Sequence, residues 1–86
     1  MYSITHAEIL EQIRFILADH LCLPVDDVAA SATLEGELGI DSLDLAELSI
    51  ALEGTFNVTI DADDAGKFRT VSDIAAFVDK RAMVSA

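Results

Sequence analysis

The residues best placed for covalent chemistry lie in the run Leu38-Gly39-Ile40-Asp41-Ser42-Leu43-Asp44-Leu45-Ala46-Glu47-Leu48. It sets one serine between a glycine-containing turn and an acidic, apolar-faced segment. Asp41 is a favourable N-cap, and Asp44 three residues on completes a capping-box pattern with Asp in place of the usual Glu. Ser42 then becomes the first helical residue, its hydroxyl directed outward beside backbone N–H groups that the helix itself leaves without partners. A phosphate ester on that oxygen would meet the positive end of the helix dipole, opposed in part by the Asp41 and Asp44 carboxylates. The site therefore suits a phosphodiester, and its acidic surroundings point to an enzyme that delivers the group.

Other chemistries fail on the residues around it. A serine hydrolase needs a base and an oxyanion site, but Gly39-Ile40-Asp41-Ser42-Leu43 is not G-x-S-x-G and no strand precedes it. His6 and His20 fall near the two ends of one helix. His6 is unremarkable in a first turn, His20 suits the negative end of the dipole, and neither is expected to be catalytic or to bind metal. Asp61, Asp63 and Gly66 match EF-hand positions 1, 3 and 6, but Ala65 and Ser72 fall at positions 5 and 12, so the bidentate carboxylate is missing. Phosphate-cradling G-x-x-x-x-G-K loops are absent, and Lys67 and Arg69 are too few for a nucleic-acid face. Cys22, the sole cysteine, forms no internal disulfide, gives no support to a zinc site, and is expected as a small core residue just after a helical run. A displayed serine without catalytic apparatus points to a group carrier, in which a cofactor does the chemistry.

Helices must hold that serine, and the apolar spacing supplies them. After a short lead, Met1 to Ser3, Thr5-x-x-Glu8 is a capping box opening a helix with Ile9, Leu10, Ile13, Ile16, Leu17 and Leu21 at helical spacing. Pro24 ends it. From Leu23 to Ile40 runs a long connection that Val25, Val28, Leu34, Leu38 and Ile40 pin to a core, with a short helical turn expected over Asp26 to Ala30. On the serine helix, closing between Gly54 and Asn57, Leu45, Leu48, Leu52 and then Phe56 form the core side, interrupted by Ser49. Leu43, Ala46 and Ile50 form a second stripe edged by Glu47 and Glu53. An apolar stripe rimmed with carboxylates beside a modifiable serine fits a docking surface; simple cover for the next helix is the alternative. Asp61 caps a short turn through about Ala65, stopped by Gly66. Thr70-x-x-Asp73 opens the last helix, with Val71, Ile74, Ala75 and Val78 on one face, Lys80-Arg81 in the final turn and a frayed tail over Ala82 to Ala86. No region alternates as a sheet requires. The expected fold is all-α, a small bundle with a long loop between the first and second helices and a short third helix.

The chain of 86 residues is expected to be a single domain, 1–86, and a monomer. Its apolar fraction of 52% supports a globular core despite a net charge of -11. No Lys or Arg falls between Arg14 and Lys67, whereas twelve acids run from Asp19 to Asp64. Such a field repels nucleic acid and anionic membranes and favours transient, salt-sensitive contact with basic protein patches. A solvated face that only maintains solubility is the alternative. No signal-like leader or membrane-length apolar run is present, so stable membrane insertion is not expected and the cytoplasm is the expected location.

The run Leu38 to Asp44, followed by Glu47-Leu48, Ala51-Leu52-Glu53 and Phe56, closely resembles the acyl carrier proteins. D-S-L alone is a weak signal; the preceding L-G-x and the downstream periodicity make it specific, and the likeness covers nearly the whole chain. The resemblance implies a four-helix bundle, a 4'-phosphopantetheine taken from coenzyme A and linked through Ser42, and acyl groups carried as thioesters on its terminal thiol. It implies a carrier that is not an enzyme. Its implied partners are a phosphopantetheinyl transferase and acyl-loading and acyl-processing enzymes, met through Asp41, Leu43, Asp44, Glu47 and Ile50, with Ala46 and Glu53 on the same stripe. It also implies an apolar space for an acyl tail beneath Leu45, Leu48 and Ser49, beside which Leu52 lies. The chain departs from the usual bacterial pattern at Gly54-Thr55, at Leu45 and Ser49, and in the first loop with Cys22 and Pro24. These departures leave fatty-acid synthesis and a specialised lipid or polyketide pathway both open. An aminoacyl or peptidyl carrier loaded by an adenylating enzyme is the alternative within the same chemistry, and an unmodified acidic helical adaptor the alternative outside it.

Overall fold

Short side-chain motifs decide where the helices begin. The computed structural model describes residues 5–84, and the side chains of residues 5–81. Thr5 Oγ1 accepts from the Glu8 N–H at 3.1 Å while the Thr5 N–H donates to Glu8 Oε1 at 2.9 Å, and α1 follows over His6–Leu21. The same reciprocal pair between Asp41 and Asp44 opens α2, Ser42–Phe56, and between Asp61 and Asp64 opens α3, Ala62–Ala65. Thr70 and Asp73 exchange bonds of 3.2 Å at the head of α4, Val71–Val84. Each pair satisfies backbone donors that the first helical turn leaves without intrahelical partners.

α1 stops at Cys22, whose φ of 57° lies in the left-handed region, and the Leu23 N–H closes back onto the Ala18 carbonyl at 2.9 Å. Cys22 is exposed. The expectation of a core cysteine is thereby corrected: the helix ends one residue before it, and Cys22 lies in the cap, outside the apolar stripe. Pro24 is the extended N-cap of a 3-10 turn at Val25–Asp27, earlier and shorter than the turn expected over Asp26 to Ala30, and its carbonyl accepts from the Asp27 N–H at 2.9 Å.

The long connection has little regular structure but many anchors. Val28, Ala32, Leu34 and Ile40 are buried in the core. Arg14 on α1 donates from Nε to the Val28 carbonyl at 2.6 Å and from Nη2 to the Val25 carbonyl at 3.0 Å. Farther along, the Val71 and Ser72 N–H groups at the start of α4 donate to the Ala32 and Ala30 carbonyls at 3.2 and 2.8 Å. The loop therefore completes the N-terminus of α4. An isolated bridge between Thr33 and Thr70 is the sole β-type pairing among the described residues.

α1 packs mainly against α4 and next against α2. Ile9, Ile13 and Leu17 meet Val71, Ile74, Ala75 and Val78 in the core, with Leu48 and Leu52 from α2. Truncating a Leu or Ile of this set to Ala costs about 2–5 kcal/mol. α4 continues through Val84, beyond the Lys80-Arg81 pair where a frayed tail was expected to begin; no Gly or Pro follows Arg81 to stop it. The remainder of that tail and the lead Met1 to Ser3 lie outside the described residues. Among the described residues the architecture is the expected one: four helices, a long first loop and a short third helix. Among the described residues no helix is long and apolar enough to cross a membrane.

Candidate functional site

The serine is presented by a turn that only glycine adopts freely. Gly39 has a φ of +68°, and beyond it the Ile40 N–H donates to the Leu34 carbonyl at 2.8 Å while the Ile40 side chain sinks into the core. That anchor leaves Asp41 at the N-cap, where its Oδ1 accepts from the Asp44 N–H at 2.9 Å. Ser42 is the first residue of α2 and is exposed. The Ser42 and Leu43 N–H groups fall among those that helix geometry cannot satisfy, so positive potential is available beside the hydroxyl.

Two clefts flank Ser42. One, about 520 Å³, lies between the first loop and the α2–α3 region and is lined by Leu34, Gly36, Ile40, Leu45, Phe68 and Arg69 among others. The second, about 550 Å³, runs between α2 and α3 past Leu45, Ala46, Ser49, Ile50, Ile60 and Ala62. Ser42, Leu45, Ala65 and Gly66 border both. Of the residues assigned to an acyl space, Leu45 and Ser49 line the second cleft, whereas Leu48 and Leu52 are packed in the core and border neither. Ser49 is buried but not left polar and bare: its Oγ donates to the Leu45 carbonyl at 2.8 Å.

On the outer side of α2, Leu43 is 68% exposed and Ile50 69% exposed, so neither serves as cover for a neighbouring helix. Ala46 and Glu47 are exposed between them, although Ala46 and Ile50 also edge the α2–α3 cleft. Glu53 behaves differently from the rest of the stripe. Its Oε2 accepts from the Ile60 N–H at 2.7 Å and ties the end of α2 to the approach to α3.

Asp44 carries two duties. Oδ2 closes the capping box on the Asp41 N–H at 3.4 Å, while Oδ1 faces His20 Nε2 at 3.3 Å. The His20 imidazole, followed by the Asp41 backbone bond, holds the Asp44 carboxyl below the usual Asp range. Glu47 approaches the same imidazole at 3.6 Å. Sequence reasoning placed His20 only by its helix end; its partners lie too far along the chain for spacing to reveal them. Arg69 at the mouth of the first cleft was likewise not singled out for this site.

An exposed primary hydroxyl at a helix N-terminus, bordered by two clefts, fits a phosphodiester-linked arm. The geometry offers a point of attachment and room for a flexible group to lie on either side.

Comparison with known proteins agrees with that geometry. A family model described as "Phosphopantetheine attachment site" matches residues 11–78. The acyl carrier protein of Thermosynechococcus vestitus is 39% identical over 75 residues, covering 87% of this chain and 93% of the relative. That of Bdellovibrio bacteriovorus is 37% identical over 70 residues, covering 81% and 90%. Among solved structures, the acyl carrier protein from Enterococcus faecalis superposes with a TM-score of 0.76 at 26% identity, covering 91% of this chain and 99% of that one.

Proposed function

The chain belongs to the acyl carrier protein family, and on that premise we propose that Ser42 bears its arm and that the outer face of α2 receives its partner enzymes. Members of this family are carriers, not enzymes, and their cofactor is a covalently attached 4'-phosphopantetheine, supplied by a phosphopantetheinyl transferase. When bound, the arm supplies a terminal thiol that holds acyl groups as thioesters. The observation that carries the assignment is the exposed Ser42 hydroxyl at the capped start of α2, with a cleft on each side.

The protein's own residues present, shelter and recognise. Asp41 and Asp44 fix the helix start, so the Ser42 hydroxyl meets a transferase in one orientation. Leu43 and Ile50 supply apolar anchors, rimmed by Asp41, Asp44 and Glu47 for basic side chains, an arrangement suited to contacts that form and release quickly. The α2–α3 cleft, bordered by Leu45, Ser49 and Ile60, is the proposed shelter for an acyl tail. The pathway we propose is fatty-acid synthesis or a specialised lipid or polyketide route.

Intact mass measured after incubation with coenzyme A, magnesium and a broad-specificity transferase tests the attachment site. The wild-type chain is expected to gain one phosphopantetheine and Ser42→Ala none. A gain that survives in Ser42→Ala would move the arm elsewhere.

A further inference from the structure

Three donors from two helices meet where the last turn of α1 passes the start of α2. His20 Nε2 lies 3.3 Å from Asp44 Oδ1 and 3.6 Å from Glu47 Oε1, and one donor atom from each side chain falls within 4.8 Å of the other two. Helix capping does not require this meeting, because Asp44 gives its other oxygen, Oδ2, to the Asp41 N–H.

The His20–Asp44 and His20–Glu47 edges fit ligands around a metal, and the first also fits a long hydrogen bond. A charge-assisted N–H···O bond closes to about 2.7–2.9 Å. Two ligands each ~2.0–2.1 Å from a tetrahedral zinc-class ion stand roughly 3.3–3.4 Å apart. The 3.3 Å edge from His20 to Asp44 falls on the second distance, and the 3.6 Å edge to Glu47 closes with a small side-chain rotation. The imidazole distinguishes the set from a plain carboxylate cluster, since a nitrogen donor favours zinc-class ions over the all-oxygen partners of calcium and magnesium. With the imidazole neutral, the two carboxylates balance a divalent charge. His20 and Asp44 are 26% and 31% exposed, so an ion can enter without the helices parting and water can complete its coordination.

We propose that His20, Asp44 and Glu47 form a binding site for a zinc-class divalent ion that clamps the C-terminal end of α1 to the start of α2. Occupation takes two carboxylates out of the docking face. That consequence rests on the docking role of α2 proposed above; the site itself does not depend on it or on the arm.

The test is a calorimetric zinc titration of the full, unmodified chain carrying Cys22→Ser, which removes the lone thiol as a competing ligand. One saturable site is expected, with Tm rising as zinc is added and with cobalt giving the intense visible bands of a tetrahedral site. Changes in the outer shell of such sites alone cost about 10–100-fold in affinity, so His20→Gln and Glu47→Gln are each expected to weaken zinc binding at least about tenfold. His6→Gln, at the opposite end of α1, is expected to leave it unchanged. Circular dichroism shows that each variant is folded, and the exposed position of Glu47 keeps that variant informative. Absence of saturable zinc binding, or full-strength binding in either folded variant, overturns the site.

Discussion

Two glycines of the same region predict opposite outcomes for the same substitution. Gly39 sits at φ +68° with no atom within 4 Å of where a Cβ would be. Nothing clashes, so Gly39→Ala carries only the backbone cost of a left-handed L-residue, roughly 1–2 kcal/mol. Gly54 lies in the last turn of α2, also with open space around it. There Ala removes the entropic penalty of a helical glycine, and Gly54→Ala is expected to add up to about 1 kcal/mol. Urea unfolding of the two variants beside the wild type checks both signs, the midpoint falling for the first and rising for the second with an unchanged slope. The Gly39 variant should also label more slowly at Ser42, because the turn that delivers Asp41 to its capping position is the one weakened.

At the scale of the elements, the caps make stability depend on pH. The Glu8 carboxyl is held below its usual range by its backbone and side-chain bonds to Thr5, and the Asp61 carboxyl chiefly by its bond from the Asp64 N–H. A carboxyl whose folded pKa is depressed contributes stability in full above its unfolded pKa and loses it as the pH falls through the lower folded value. The loss therefore lies at and below the ordinary carboxylate range, not near neutrality. Glu8→Gln and Asp61→Asn keep a capping acceptor but cannot titrate, so each is expected to lower Tm at pH 7, where the carboxylate contributes in full, and to converge on the wild type in acid, flattening the acid limb of a Tm-against-pH curve. Comparison at each pH with the wild type cancels the general relief of charge repulsion, which acts in the opposite direction.

These caps are also what made the elements legible in the sequence. Thr5-x-x-Glu8, Asp41-x-x-Asp44 and Thr70-x-x-Asp73 are local patterns, as is Asp61 as a cap, and each stands at the head of the helix it announces. The place of Ser42 as the first residue of α2 was legible for the same reason. What spacing could not show are the contacts that close across the chain: Arg14 on the Val25 and Val28 carbonyls, Glu53 on the Ile60 N–H, and His20 beside Asp44. Glu53 looked like one more rim carboxylate because its partner lies beyond the helix. Cys22 was misjudged because its place depends on the residue at which α1 stops, and a shift of one position turns a core site into an exposed left-handed cap.

The charge of the whole molecule gives salt two effects of opposite sign. A net charge of -11 is spread over a body whose extents are 37 × 27 × 19 Å. At ~0.01 M ionic strength the screening length is about 30 Å, so nearly every carboxylate feels every other; at ~0.15 M it is about 8 Å and only neighbours interact. Raising sodium chloride across that range at fixed magnesium is expected to raise Tm, because self-repulsion in the folded state is screened. The same change is expected to lower the transferase's kcat/KM toward this chain, because the long-range attraction to a basic partner is screened as well. The apolar anchors give a third behaviour. Leu43→Ala should reduce kcat/KM by a similar factor at every salt concentration while hardly moving Tm, since the side chain is 68% exposed and holds little of the fold together. If kcat/KM instead stays flat with salt and falls only on Leu43→Ala, docking is apolar and the acidic rim serves solubility alone. If it falls with salt and ignores Leu43→Ala, charge alone steers the encounter and the anchor lies elsewhere on α2.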